Sequence, residues 1–270
     1  MSGTLTFNNK NASSFGIRIG AVNPYDAPGR EVQTYAVPGR IGAVYPQKDL
    51  SQIPNEIREY TAGLYLRSAS AEAVQRSMAE IRDWLFSPDG YADLHDSYEP
   101  QFYRKAFFTG DFAAIRKGAG QNFEFPLRFS CDPRRFIYGA APFTMYPNQS
   151  GSVYTTPAEV NGFAIREACK PLIWINNGGD AVTISFTDVT EINSVAQSIL
   201  YGQLKLVGVE EKFWFDAETL TAYLDDDNKT PANELIDDVI GEIRLGPGQT
   251  QINYNSSLIM MTFYPRWWVR

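Results

Sequence analysis

The sequence contains few of the side chains on which catalytic and metal sites depend. Its 270 residues include one histidine, His95, and two cysteines, Cys131 and Cys169, which lie far apart. One histidine and two remote thiols cannot supply an ordinary four-ligand zinc site. Neither a GxxxxGK(S/T) nor a GxGxxG phosphate-binding sequence occurs. We therefore predict that the chain is not an enzyme, that it needs no cofactor, and that its two thiols are reduced and partly buried.

Long apolar runs and a basic surface are missing as well. No segment approaches the roughly 18 apolar residues of a membrane span, and the opening MSGTLTFNNKNASS lacks the regions of a secretory signal. We therefore expect synthesis in a cytosol. Residues 1–138 carry 16 Lys and Arg against 15 Asp and Glu, whereas residues 139–270 carry 8 against 16, which together give the net charge of −7. A half this acidic is a poor partner for nucleic acid.

Composition and charge predict two globular domains. Hydrophobic residues make up 44% and aromatic residues 14% of the chain, which is too apolar for a disordered protein. The change in charge falls near the Gly-Ala-Ala-Pro stretch at 139–142 and the polar segment 146–152. We therefore predict one domain over residues 1–138 and a second over residues 139–270.

The hydrophobic pattern predicts a mainly β protein with one helix. Phe123, Phe125, Leu127 and Phe129 alternate as in a half-buried strand. Helical spacing appears once, at about 69–86, where Ser68 or Ser70 can cap the first turn and Ser-Pro-Asp-Gly ends it. Short strands and glycine-rich turns follow to the end of the chain, and the connector after the helix is rich in turns and aromatic residues. We predict two β-sandwiches, the first carrying the helix.

Three patterns invite a catalytic or metal-binding interpretation. His95 is flanked by Asp93, Asp96 and Ser97, but a Ser-His-Asp triad needs convergence in space, and we expect a polar turn residue with local hydrogen bonds. The run Asp225–Asp227 fails the EF-hand register, since its twelfth position is Ile236. A solvated loop is the expected structure there, with a weak surface Ca²⁺ site left open. Paired carboxylates of a glycoside hydrolase remain a third alternative, although no particular pair is favoured.

The tryptophans invite an interpretation as a carbohydrate-binding site. Trp174 and Trp214 lie within apolar strands, and we expect them in the core. The neighbours Trp267 and Trp268 cannot both point inward on a strand. One of them should be exposed or buried against another chain, and both are candidates for stacking on a glycan. An accessory protein that recognises a host cell-wall glycan is therefore our alternative function.

A series of short motifs resembles the distal tail proteins of long, non-contractile-tailed bacteriophages. The first half contains, in order, Phe15-Gly16-Ile17, the VPGR-x-G turn of residues 37–42, IRDWL at 81–85, a Tyr-Leu-Asp-Pro-Tyr-Arg-Ala series from Tyr91 to Ala106, and FxLxFxCxPxxF at 125–136. The second half contains Pro171-Leu172-Ile173 before an Asn-Gly-Gly-Asp turn, DAETLTAYLDDDNK at 216–229, LxPG at 245–248 and a closing PRW at 265–267. The chain departs from the family at 188–198 and 231–241, where we expect longer loops.

The resemblance implies a structural role in the phage tail. It implies a ring-forming N-terminal β-sandwich, a galectin-like C-terminal β-sandwich, and a homo-hexamer that joins the tail tube to the tail hub protein, the receptor-binding apparatus and other tail-tip proteins. DNA would pass through without specific binding, no membrane is involved, and the protein would reside in the virion after assembly in the host cytoplasm. We predict that the turn of Val37, Pro38, Gly39, Arg40 and Ile41, with Val44, forms part of the contact between subunits.

Overall fold

The computed structural model describes residues 3–20, 35–36, 43–44, 56–65, 70–110, 115–117, 122–192, 195–208, 210–255 and 258–269. The chain divides into two compact units, Met1–Tyr138 and Gly139–Val269. Within the described ranges, the fold is mainly β with one α-helix, which lies in the first unit. No helix in those ranges is long and apolar enough to cross a membrane.

The first unit contains the helix α1 and eleven of the described strands. A 3₁₀ turn spans Ala12–Phe15, and the helix spans Ala71–Phe86. The strands are β1 Leu5–Phe7, β2 Lys10–Asn11, β3 Ile17–Ile19, β4 Tyr35–Ala36, β5 Ala43–Val44, β6 Glu56–Tyr65, β7 Ala92–Asp96, β8 Phe102–Phe108, β9 Ile115–Lys117, β10 Asn122–Cys131 and β11 Arg135–Ile137.

One curved antiparallel sheet forms the framework of the first unit. Its order is β2-β1-β7-β8-β10-β6-β3, with β9 paired to β10 and β11 to β8. Two strands separate β1 from β10, yet the rings of Phe7 and Phe129 lie 4.9 Å apart, so the sheet curls over its own core. A bridge from Gly3 to Ile19 links the two ends of the sheet. The predicted β-sandwich of this unit is therefore a single sheet that folds back on itself.

Helix α1 packs its apolar side against this sheet. Ser70 caps it, since the Ser70 hydroxyl accepts the Ala73 N–H at 3.2 Å. Ile81, Trp84 and Leu85 are its buried residues. The indole N–H of Trp84 donates to the Phe7 carbonyl at 2.9 Å, and its ring stacks on Phe15 at 4.8 Å. The predicted helix and its Ser70 cap are confirmed.

The second unit contains the remaining described strands. Two 3₁₀ turns span Pro147–Gln149 and Asn233–Leu235. The strands are β12 Phe143–Met145, β13 Ser152–Thr155, β14 Glu159–Val160, β15 Phe163–Ala164, β16 Leu172–Gly178, β17 Val182–Ile192, β18 Val195–Leu206, β19 Glu210–Asp216, β20 Thr221–Leu224, β21 Ile236–Gly241, β22 Gln249–Tyr254, β23 Leu258–Tyr264 and β24 Trp268–Val269.

Two five-stranded antiparallel sheets of the second unit pack face to face. Their orders are β12-β23-β16-β19-β20 and β13-β22-β17-β18-β21. Phe186 of one sheet meets Phe263 of the other edge to face at 6.2 Å, and Phe143 stacks on Tyr154 at 3.9 Å. These contacts across the interior make this unit a β-sandwich.

The structure corrects several predicted boundaries. The connector after the helix contains the strands β7 and β8. In the extended region, residues 188–192 and 195–198 are paired β-structure, since β17 and β18 run alongside each other from Val182↔Leu206 to Ile192↔Val195. The region at 231–241 includes β21. Residues 242–244 belong to no strand, and Leu245 forms an isolated bridge with Cys169.

Candidate functional site

The only histidine of the chain takes part in a structural contact. His95 lies on β7 and not in a turn, where its Nε2 is 3.1 Å from the Pro100 carbonyl and its ring stacks on Tyr138 at 4.8 Å. Its neighbour Ser97 accepts the Thr4 N–H, and Asp93 pairs with Lys105 at 2.6 Å. The local hydrogen bonding predicted for His95 is confirmed, and the described contacts do not assemble a catalytic triad.

A buried ionic cluster lies at the ends of β6, β7 and β8. The Tyr60 hydroxyl donates to Asp96 at 2.6 Å, and Arg58 lies 3.3 Å from the same carboxylate. Arg58 also pairs with Glu99 at 2.9 Å, and Arg104 pairs with Glu99 at 2.7 Å. Arg58, Asp96 and Arg104 are each 4% exposed. The cluster joins three strands through ion pairs. Because these charges are buried, breaking a pair would leave a charge without compensation in the interior.

The surroundings of Asp96 hold it in its ionised form. Burial acts to raise its pKa, but the hydrogen bond from Tyr60, the charge of Arg58 and the N–H groups of Tyr98 and Glu99 together lower that pKa below its ordinary value. Burial raises the pKa of Tyr60 well above its ordinary value, and the nearby Asp96 charge raises it further. Tyr60 is therefore a permanent donor at physiological pH. This network stabilises the fold and has no free nucleophile.

The first unit also exposes a cluster of aromatic side chains. Phe86 is 54%, Tyr91 51% and Phe107 37% exposed. The Tyr91 and Phe107 rings meet at 5.2 Å, and Phe86 and Phe107 line a cavity of about 190 Å³ that reaches Phe7 and Leu85. Contiguous apolar patches on a protein surface are common at interfaces with other molecules. We call Phe86, Tyr91 and Phe107 the exposed aromatic cluster.

A second aromatic surface lies on the outer face of the sheet β12-β23-β16-β19-β20. Trp174 of β16, Trp214 of β19 and Tyr223 of β20 lie opposite one another in register. Tyr264 of β23 packs on Trp214 with ring centroids 5.3 Å apart. All four alternate with buried residues of the core. Trp174 and Trp214 are half-buried on the outside of the sandwich, so their expected place in the core is wrong.

One carboxylate orients both tryptophans of this aromatic face, which we define as Trp174, Trp214, Tyr223 and Tyr264. The two oxygens of Asp225 accept the indole N–H of Trp174 at 2.8 Å and that of Trp214 at 2.7 Å. Asp225 also lines a groove of about 390 Å³ with Asn176 and Lys212, which lie on the same face. Sequence reasoning missed this arrangement because Trp174 and Trp214 each lie between two apolar residues. In such an apolar run, hydrophobicity does not distinguish the residues that face outward from those that face the core.

The neighbouring acids have structural partners too. Asp226 accepts the Thr230 hydroxyl at 2.6 Å and the Thr230 N–H at 3.0 Å. Asp216 pairs with Arg266 through two contacts at 2.5 and 3.0 Å. Burial acts to raise the pKa of Asp216, but Arg266 outweighs that effect and lowers it. Among the residues that the structure describes, no group of three His, Cys, Asp or Glu side chains is placed to hold a metal ion.

The remaining predicted site residues divide into two groups. Trp267 is 1% and Trp268 6% exposed, so neither is available to stack on a glycan, and both are already buried within the single chain. Trp267 precedes β24, so strand alternation does not apply to the pair, and the Trp268 indole donates to the Ala168 carbonyl at 3.1 Å. Val37, Pro38, Gly39, Arg40 and Ile41 lie outside the described residues, whereas Val44 belongs to β5, whose backbone pairs with β4.

Comparison with known proteins identifies the fold. No protein-family model matches the chain, and no curated protein matches it in sequence. The Dit (gp 19.1) protein of phage SPP1, described as a paradigm of the hub adsorption apparatus in phages that infect Gram-positive bacteria, matches with a TM-score of 0.58 and 13% identity, over 97% of this chain and 98% of that chain.

Chains of the phage P2 baseplate in its activated conformation match equally well. The TM-score is 0.58 with 10% identity for the Ca form and 0.59 with 12% identity for the Sr form, each over 98% of both chains. The chain therefore has the fold of these phage tail proteins along nearly its whole length. The match agrees with the resemblance to phage distal tail proteins.

Proposed function

We propose that this chain is a structural protein of a bacteriophage tail tip, where six copies form a ring that joins the tail tube to the hub and receptor-binding apparatus and lets DNA pass. The observation that carries the proposal is the match to the SPP1 Dit protein, which extends over 97% of this chain and so includes both units. A match confined to one sandwich would be weak support, because sandwiches serve many functions.

The contacts of the polar residues support a structural role over a catalytic one. His95, Asp96 and Asp216, the groups best suited to acid–base chemistry, bind the Pro100 carbonyl, the Arg58–Tyr60 pair and Arg266 respectively. Each contact ties one strand or loop to another. These groups act in the fold, and the function of the chain then lies in its surfaces.

We assign ring formation to the first unit and contacts with other tail-tip proteins to the second, a galectin-like sandwich. The exposed aromatic cluster supports the first assignment, since a neighbouring copy in a closed ring would cover it. The turn at 37–41 with Val44 is a second proposed contact, and β4 and β5 pair on either side of it. A head-to-tail interface closing at six-fold symmetry would leave no free end for further growth.

Electron microscopy of the purified chain tests the ring directly. We expect six-fold rings with a central hole wide enough for double-stranded DNA, and light scattering should give six times the mass of one chain. A monomer at all concentrations, or a ring of closed centre, would contradict the proposal. Addition of the tail tube protein and of the hub protein should then produce stacked complexes.

Paired substitutions locate the contact between subunits. Ile41→Asp with Val44→Asp, and separately Phe86→Ser with Phe107→Ser, should each convert rings to folded monomers, because a buried charge or a lost apolar contact weakens association. Val153→Asp is the matched control, since Val153 is 45% exposed and lies in the second unit. If both double variants still form rings, these surfaces are not the interface, and if only the control disrupts rings, the second unit forms them.

A further inference from the structure

We propose that the aromatic face of the second unit binds a neutral oligosaccharide, with Trp174 and Trp214 as its stacking platform and the adjoining groove as its hydrogen-bonding site. This inference goes beyond the proposed structural role and does not depend on ring formation. It assigns a ligand to residues that belong to neither the buried ionic cluster nor the exposed aromatic cluster.

The position of the rings is the first argument. Trp174 and Trp214 are directly opposite each other on neighbouring antiparallel strands, which places their Cβ atoms about 5 Å apart. Tyr223 continues the row on β20, and Tyr264 packs beside Trp214. Large aromatic side chains are energetically better placed in the core. Four of them on one outward face form an apolar platform, which suits the C–H faces of sugar rings.

The rigidity of the platform is the second argument. Both indole N–H groups are bound by the single carboxylate of Asp225, at 2.8 and 2.7 Å. The ammonium of Lys229 lies over the Tyr223 ring, 5.6 Å from its centre. Side chains fixed before binding lose little conformational entropy when a ligand arrives, so that weak stacking contacts are retained as affinity.

The groove beside the platform supplies the polar contacts that sugar hydroxyls require. It measures about 390 Å³, within the range of small-molecule sites. Asn176 and Lys212 contribute donors, and the amide of Asn176 also offers an acceptor. Asp225 belongs to both the groove and the platform, which makes the two surfaces continuous. The aromatic platform beside hydrogen-bond donors and acceptors fits a sugar ring, which has an apolar face and a polar edge.

The charge of the rim selects the class of sugar. Glu210, Glu211 and Asp226 line the groove together with Asp225, against the single cation Lys212. Four carboxylates and one ammonium repel a polyanion such as a uronic acid polymer or a phosphate-bearing polymer. A neutral oligosaccharide avoids that repulsion and can use the carboxylates as hydroxyl acceptors. An apolar protein segment would leave these charges unpaired, which disfavours such a segment at this face.

Titration with defined oligosaccharides tests the proposal. Cellotetraose, maltotetraose and the tetramer of N-acetylglucosamine would each be added to the full chain, with binding followed by tryptophan fluorescence and saturation-transfer NMR. We expect at least one of them to bind saturably, and trigalacturonic acid to bind at least about tenfold more weakly than that sugar. Trp174→Ala and Trp214→Ala should each weaken binding about tenfold or more.

Two further variants separate the platform from its orientation. Trp214→Phe keeps a ring but removes the N–H donor, and Asp225→Ala frees both indoles, so each should weaken binding less than Trp214→Ala does. Tyr138→Ala, which removes an exposed aromatic side chain of the first unit outside both proposed surfaces, is the matched control and should bind like the parent. Circular dichroism and thermal unfolding would establish that the variants remain folded.

The proposal fails if none of the three neutral sugars binds at millimolar concentration, or if both tryptophan-to-alanine variants bind as well as the parent. It also fails if trigalacturonic acid binds as tightly as the best neutral sugar. Failure of the sugars while another tail-tip protein protects Trp214 from quenching would assign the face to a protein. None of these results would affect the ring proposal, whose test is the symmetry of the particle.

Discussion

Two glycines that face each other show how strictly single positions are determined. Gly202 of β18 and Gly241 of β21 are partners in register. A Cβ on Gly202 would lie 2.1 Å from the Glu242 carbonyl, and one on Gly241 would lie 2.0 Å from the Tyr201 carbonyl. Gly241 also has a φ of +69°. The two strands approach so closely here that no side chain fits between them.

We predict that Gly241→Ala lowers the free energy of unfolding by at least about 2 kcal/mol, because left-handed strain and a backbone clash add. Gly162→Ala is the matched control, since Gly162 has a φ of +82° in the same unit but no atom within 4 Å of its added Cβ. That variant should lose only about 1 kcal/mol. Urea unfolding measures the loss of stability of both variants. Equal losses would show that the close approach of the two strands does not add to the cost of Gly241→Ala.

Asp96 determines how the first unit responds to acid. Its pKa lies below the ordinary value, since Tyr60 and Arg58 outweigh the opposing effect of burial. Ionised Asp96 therefore stabilises the fold at every pH above the pKa of the unfolded chain, and this contribution is lost as the pH falls through the folded pKa. The loss occurs in the acidic range, well below neutrality.

We predict that Asp96→Asn lowers the free energy of unfolding by about 3 kcal/mol at neutral pH, since it removes one of the two carboxylates that pair with the buried Arg58. The difference in the free energy of unfolding between the variant and the parent should become smaller as the pH falls, because Asp96 of the parent then becomes protonated. Asp93→Asn is the control, since its pair with Lys105 is partly exposed, and it should cost less than about 1 kcal/mol. Urea unfolding at a series of pH values tests this prediction. A difference in the free energy of unfolding between parent and variant that stays constant at acidic pH would refute it.

At the level of elements, helix α1 depends on a cap that lies outside its apolar stripe. We predict that Ser70→Ala lowers the free energy of unfolding by about 1 kcal/mol, because the Ala73 N–H loses the Ser70 oxygen at 3.2 Å. Ser77→Ala within the same helix should be neutral or slightly stabilising, since alanine has the higher helix propensity. Chemical denaturation compares the two, and indistinguishable variants would contradict a capping role.

Little burial explains why sequence reasoning missed the strand β21. β21 has the sequence Ile-Asp-Asp-Val-Ile-Gly, and its residues are half-buried or exposed throughout. Its apolar and polar residues therefore do not alternate regularly. The pairing of β17 with β18 continues past a register shift after Phe186. Backbone hydrogen bonds stabilise such segments without an apolar face, and only an apolar face leaves a periodic signal in the sequence. β10, whose Phe125, Leu127 and Phe129 are buried, was predicted correctly for the same reason.

At the level of the whole molecule, the cysteines are placed where they cannot react. Cys131 is fully buried and Cys169 is 1% exposed, and burial raises the pKa of Cys169 to about 12. We predict that neither thiol reacts with Ellman's reagent near pH 8 in the folded protein, and that both react after unfolding. Assembly should accordingly be unchanged by reducing agents. Rapid modification of one thiol in the folded chain would show that this burial is wrong.

The sequence by itself determined the mainly β class, the capped helix, the strand β10, the buried thiols and the local role of His95. These follow from backbone geometry, capping chemistry and periodicity, which act over a few residues. The tertiary structure alone decided that Trp174 and Trp214 face outward, that Trp267 and Trp268 are both buried, and that Asp225 binds both indoles of the aromatic face. Alternation places neighbouring side chains on opposite faces, but which face is buried depends on the sheet that packs against it, and residues far along the chain supply that sheet.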